Sequence, residues 1–184
     1  MAVHMNGNAG RLVTGAVMAF LLVAGLSRLA AAGEDATIKA FSAWQGQGHV
    51  FQTGEKQATF VGAFVGTVYV ETDQGPVASG HMVCPATVTI SLDDNSQNGT
   101  GHCTITADDG ATVYADVTCS GFHLVGCNGD FKLTGGTGRF AGITGGGPVI
   151  IRSEFAKLAA APQNTAQEEA TGIVYWKELH YTIP

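Results

Sequence analysis

From Gly48 onward the apolar residues recur at every second position and not at every third or fourth, which is the period of a strand. Ala58–Thr72 is the longest such run. Phe60, Phe64, Val68 and Val70 share one face, and Val61, Val65 and Tyr69 occupy the other. Apolar residues on both faces predict burial on both sides, against a barrel interior and against a partner or covering segment. Gly62 and Gly66 fall on the phenylalanine face, where a missing side chain lets a strand bend sharply or leaves room for a ligand. Shorter runs predict strands at His49–Thr53, Val77–Val83, Ala86–Leu92, Gly101–Thr106, Thr112–Gly121, Phe131–Thr134, Phe140–Ile143, Val149–Phe155 and Ile173–Ile183. In the last of these, Val174, Trp176 and His180 alternate with Tyr175, Leu179 and Tyr181. Turn residues separate the runs, among them Asp73–Pro76 and Asp108–Gly110, and Pro85 breaks two of them apart. Residues 34–47 carry no strong period. Residues 156–170, rich in Ala, Gln and Glu but holding Pro162, read as a loop or short-helix insertion. The pattern predicts an all-β fold, an antiparallel closed barrel of about eight strands.

The first 32 residues follow a different logic. Arg11 is followed by an uncharged run from Leu12 to Leu26, then by Arg28 and by Ala30–Ala32. A basic start, a short apolar stretch and small residues at −3 and −1 describe a signal-peptide helix cleaved after Ala32. The run is short for a membrane span, and no later stretch is long enough for one. Residues 33–184 are then the mature domain, periplasmic or secreted and free of the membrane after cleavage. Losing Arg11 and Arg28 leaves seven basic residues against fifteen acidic ones, a net charge of −8. Such a surface repels phosphate backbones and anionic lipid headgroups, so nucleic-acid binding is disfavoured.

Four cysteines in an exported domain read as two disulfides. Cys84, Cys103, Cys119 and Cys127 allow three pairings. Cys84 with Cys103 and Cys119 with Cys127 is preferred, because each then joins neighbouring strands. A metal or redox site is disfavoured, since no C-x-x-C is present and free thiols would oxidise in that compartment.

The glycine-dense segment Gly121–Gly147 tempts a phosphate-loop reading, but no helix follows the glycines. Gly135–Gly136 and Gly145–Gly147 instead supply positive φ for tight hairpins, with Phe131, Leu133, Phe140 and Ile143 packing inward. The stretch FKLTGGTGRFAGITG (131–145), with GHVF (48–51), ATFVGAFVGTVYV (58–70), MVCPATV (82–88) and GHC (101–103), resembles the bacterial allene-oxide-cyclase barrel-like family. A related glycine turn occurs in plant dirigent proteins. The resemblance implies an eight-stranded barrel whose open mouth binds hydrophobic or aromatic molecules. It transfers no catalytic residue, because no plant catalytic set maps onto these positions.

Chemistry-bearing residues are sparse. The mature histidines are His49, His81, His102, His123 and His180, and His81 and His102 become cross-strand neighbours if Cys84 pairs with Cys103. No metal and no cofactor is expected. Asp116, Glu154 and Glu178 lie in predicted strands, and one turned inward would be a candidate acid or base. No nucleophile elbow or Ser/His/Asp set is present. The ligand-pocket candidates are Phe60, Phe64, Tyr69, Tyr175, Trp176 and His180. The expected function is binding of a small apolar or aromatic molecule. The alternatives are an isomerase or cyclase acting on such a molecule, and a filled structural barrel. The two-faced strand 58–72 further predicts a homo-oligomer.

Overall fold

The structure, a computed structural model, describes residues 33–161 and 165–184. The expected signal peptide and its cleavage site lie outside the described residues. The strands are β1 (Glu34–Gly54), β2 (Gln57–Thr72), β3 (Gly75–Ser91), β4 (Ser96–Thr106), β5 (Thr112–Phe122), β6 (Gly126–Gly136), β7 (Thr144–Ala161) and β8 (Thr165–Ile183). A 3₁₀ turn, Gly138–Phe140, stands between β6 and β7. Each strand pairs antiparallel with the next, and β8 pairs back onto β1, so the sheet closes into a barrel and none of the eight is an edge strand.

Even-numbered positions of the first three strands point inward. Ala40, Ser42 and Trp44 of β1, Phe60 and Val68 of β2, and Met82, Cys84 and Ile90 of β3 are buried. Cys103, Val113, Ala115, Phe131, Leu133, Val149, Val174 and Trp176 complete the central packing. The outward face of β2 is the apolar surface its sequence announced, with Val61 and Val65 exposed. Phe41 stacks on Tyr69 beside them at 5.3 Å.

Several expectations are corrected. Residues 34–47 form a strand, because Ser42 and Gly46 face inward and hide the alternation from a hydrophobic count. Val77–Val83 and Ala86–Leu92 are parts of one strand that runs through Pro85. Pro85 has no N–H to donate, and the β3–β4 ladder skips from Val83–Thr104 to Ala86–Gly101 there. The Cys84–Cys103 disulfide closes that gap. Residues 156–161 and 165–170 extend β7 and β8, with Ala156 opposite Ala170 and Ala161 opposite Thr165. Their alanines favour a helix, but β8 is pinned on both sides by β1 and β7, and pairing overrides propensity. Phe140 belongs to the 3₁₀ turn and not to a strand.

Gly145–Gly147 lie within β7 and not in a hairpin turn. A Cβ on Gly145 would stand 2.2 Å from the carbonyl oxygen of His180, and one on Gly147 2.1 Å from that of Glu178. These glycines therefore serve close backbone approach. Gly62 and Gly66 do likewise. The space beside Gly62 is taken by the Phe60 ring, not by a ligand.

In β8, Lys177 and Glu178 together face the single residue Lys39 of β1, where the register passes from Ile38–Leu179 to Ala40–Trp176. This bulge resets the alternation. Leu179 turns inward with Trp176, and His180 turns outward.

Candidate functional site

The barrel interior is not filled from end to end. A cavity of about 120 Å³ lies at the end where β4 begins and β5 ends. A wider one of about 530 Å³ lies at the opposite end, where β1 begins and β8 finishes. Phe131 and Trp176 line both, in edge contact at 5.1 Å, and form the wall they share.

The smaller cavity is walled by Trp44, Phe60, Phe64, Met82, Trp176 and both disulfides. Cys84–Cys103 and Cys119–Cys127 are the preferred pairs, and they tie β3 to β4 and β5 to β6. A polar group converges on this apolar wall. His123 sits in the β5–β6 turn, its backbone N–H donating to the Asn95 carbonyl at 2.8 Å. Its ring Nδ1 lies 3.3 Å from Oε1 of Gln97 on β4. Its Nε2 lies 3.2 Å from Oε2 of Glu168 on β8, and the Glu168 side chain is only 9 % exposed. That carboxylate oxygen nonetheless accepts no aligned hydrogen bond, and the indole N–H groups of Trp44 and Trp176 are likewise unpartnered and buried. Asn95 and Leu124, on either side of this turn pair, both hold left-handed backbone (φ 58° and 61°). For a leucine that conformation costs about 1–2 kcal/mol. Strain of this kind concentrates where a side chain must be aimed.

Chemically, this is an acid–base pair in low-dielectric surroundings. If Nδ1 donates to Gln97, Nε2 is a bare acceptor in the neutral ring and a donor in the imidazolium. The pair can hold a hydrogen-bonding group of a bound molecule, or pass it a proton.

At the wider end the lining is also apolar, with Glu34, Arg139 and Tyr181 among the polar exceptions. Tyr181 Oη donates to Glu34 Oε1. That hydrogen bond, then burial, then the carboxylate charge push the phenol up to about 12. Arg139 reaches Asp109 at 2.9 Å, with its guanidinium 4.7 Å above the Phe140 ring.

Of the pocket candidates named from sequence, Phe60, Phe64 and Trp176 line the smaller cavity. Tyr69 stacks on Phe41, Tyr175 pairs across from Phe41, and His180 bonds Thr37 and Asp35, so these three line neither cavity. His81 faces Thr106 and not His102, which instead meets Asp116 at 2.7 Å on the surface. Among the described residues no group of three or more His, Cys, Asp or Glu is placed to hold a metal ion. Sequence reasoning missed Glu168, because it lay inside the stretch read as an insertion. Its parity was the available signal: counting back by twos from Trp176 and Val174 reaches Glu168.

The class defined by these features is an eight-stranded, disulfide-stapled antiparallel barrel with a cavity at each end. No family model and no curated protein matches the chain. Among solved structures, the chain is similar to a pterocarpan synthase dirigent protein at 13 % identity and a TM-score of 0.35, over 78 % of this chain and 85 % of that one. Among the described residues no helix is long and apolar enough to cross a membrane.

Proposed function

We propose that this barrel binds a small apolar or aromatic molecule in the mouth that carries the two disulfides. The observation that carries the reading is the unfilled apolar space between Trp44, Phe60, Phe64 and Trp176. Its volume of about 120 Å³ compares with the ~150 Å³ of an engineered protein cavity that takes up benzene. A few convergent polar groups on an apolar wall are the usual make-up of a ligand site. The motifs FKLTGGTGRFAGITG and ATFVGAFVGTVYV add support through their resemblance to allene-oxide-cyclase-like barrels. The reading includes an exported protein, supported by two disulfides that persist in an oxidising compartment. It also includes self-association through the exposed Val61–Val65 face.

The His123–Glu168 pair favours one second reading, an isomerase or cyclase that moves a proton on the bound molecule. Native mass spectrometry of the mature protein from its own compartment tests the binding reading. A co-purifying small molecule is the expected result. A clean apo mass, with no uptake of single-ring compounds on titration, overturns it in favour of a structural barrel.

A further inference from the structure

Three buried polar atoms without a hydrogen-bond partner belong to residues that line the smaller cavity: Glu168 Oε2, Trp44 Nε1 and Trp176 Nε1. One is an acceptor and two are donors. Native proteins satisfy nearly all such buried groups, because each costs about as much as a lost hydrogen bond when left bare. Gln97 engages Nδ1 of His123 and so fixes the ring, which brings Nε2 to 3.2 Å from Glu168 without the alignment of a hydrogen bond. The carboxylate oxygen is thus held facing a partner that does not satisfy it, on a side chain more than nine-tenths buried.

Resting on the binding reading above, we propose that this cavity selects an uncharged ring-sized molecule bearing a hydroxyl, and that Glu168 is the residue that reads it. A hydroxyl is a small uncharged group that donates to a carboxylate while keeping an oxygen able to accept. Its proton goes to the Glu168 carboxylate, the acidic group of the cavity wall. The remaining wall is apolar and accommodates the ring. An anionic ligand meets the carboxylate and is rejected.

The chain's two tryptophans both line this cavity, so intrinsic fluorescence reports entry directly. The probes are cyclohexanol and methylcyclohexane, nearly equal in size and differing in the hydroxyl. Each is titrated into wild type and into Glu168→Leu, and the ratio of their dissociation constants is compared between the two proteins. That double comparison cancels the cost of drying the hydroxyl. A hydrogen bond to a charged group predicts that Glu168→Leu shifts the ratio against cyclohexanol by about tenfold or more, with methylcyclohexane affinity kept. An unchanged ratio overturns the proposal while leaving the cavity reading intact. Failure of both probes to bind wild type overturns the cavity reading itself. Should Glu168→Leu not fold, Glu168→Gln keeps the volume and an acceptor but loses the charge. It then shifts the ratio in the same direction by a few-fold, and no shift is again a refutation.

Discussion

The glycines beneath the two phenylalanines of β2 make a sharp test of how this barrel is packed. A Cβ on Gly46 would stand 2.6 and 2.8 Å from two ring atoms of Phe64, and its third neighbour is also a side-chain atom, Trp44 Cζ3 at 3.4 Å. A Cβ on Gly62 would stand 2.3 Å from the Gln47 carbonyl oxygen, 2.4 Å from Phe60 Cζ and 2.8 Å from Gly48 Cα, against the 3.0 Å that real Cβ contacts respect. Two of those three neighbours are backbone. Phe64 borders the smaller cavity and can turn into it; the β1 backbone beside Gly62 is locked in the ladder. Neither glycine has positive φ, so the cost is contact alone. Overpacking costs about 1–3 kcal/mol, and replacing Gly by Ala returns roughly 0.4–1 kcal/mol through the unfolded chain. Gly46→Ala is therefore expected to fall within about 1 kcal/mol of wild type, and Gly62→Ala to lose about 2 kcal/mol. Adding Phe60→Leu relieves one contact of three, so the double variant should recover only a minor part of the Gly62→Ala penalty in a mutant cycle. Urea unfolding followed by far-UV circular dichroism measures wild type, Gly46→Ala, Gly62→Ala, Phe60→Leu and the double variant. A neutral Gly62→Ala, or full rescue by Phe60→Leu, would show that the ladder yields and that the reasoning is wrong.

Other outcomes follow from the same structure. Replacing Cys119 and Cys127 by Ala opens a loop with a sequence separation of 8 and should cost about 2.5 kcal/mol, while the 19-residue separation of Cys84 and Cys103 implies about 3 kcal/mol; denaturation of each variant reads this, and equal stability to wild type would refute the loop-entropy account. The Tyr181 phenol is raised from 10.0 to about 12, so its neutral form is the one that folding favours. Its stabilisation is complete below pH 10 and is lost as pH rises from 10 through 12. Difference absorbance near 295 nm against Tyr181→Phe should show this late titration, and Glu34→Gln should bring it earlier. Val61→Glu with Val65→Glu should convert a self-associated protein to monomer in size-exclusion chromatography; a wild-type monomer at micromolar concentration counts against association through this face.

The full length of β2, the closed antiparallel barrel and the disulfide partners were legible because they rest on period two, turn chemistry and pairing of neighbours. The candidate site was half legible. Phe60, Phe64 and Trp176 could be placed by alternation, since they follow the parity of buried neighbours. His180 could not, because the Lys177–Glu178 bulge flips parity without any composition signal. Glu168 was hidden by an alanine-rich context whose helical propensity loses to pairing with Gly48 of β1 and Leu158 of β7. Residues 34–47 of β1 were hidden by the inward Ser42 and Gly46, which pack without being hydrophobic, while His49–Thr53 was legible.

The seam between β1 and β8 joins the first and last strands of the barrel, with Glu34 opposite Ile183 and Phe51 opposite Thr165. Every other ladder links consecutive strands and can zip locally. This one spans almost the whole sequence and carries the largest loop-closure entropy. The cylinder therefore cannot be completed until the last strand is available. Glu168, Val174 and Trp176 all sit on that strand, so the cavity exists only once that strand has closed the barrel. Without its last twenty residues the chain lacks β8, the barrel cannot close and the cavity loses a wall, so truncation there should abolish folding.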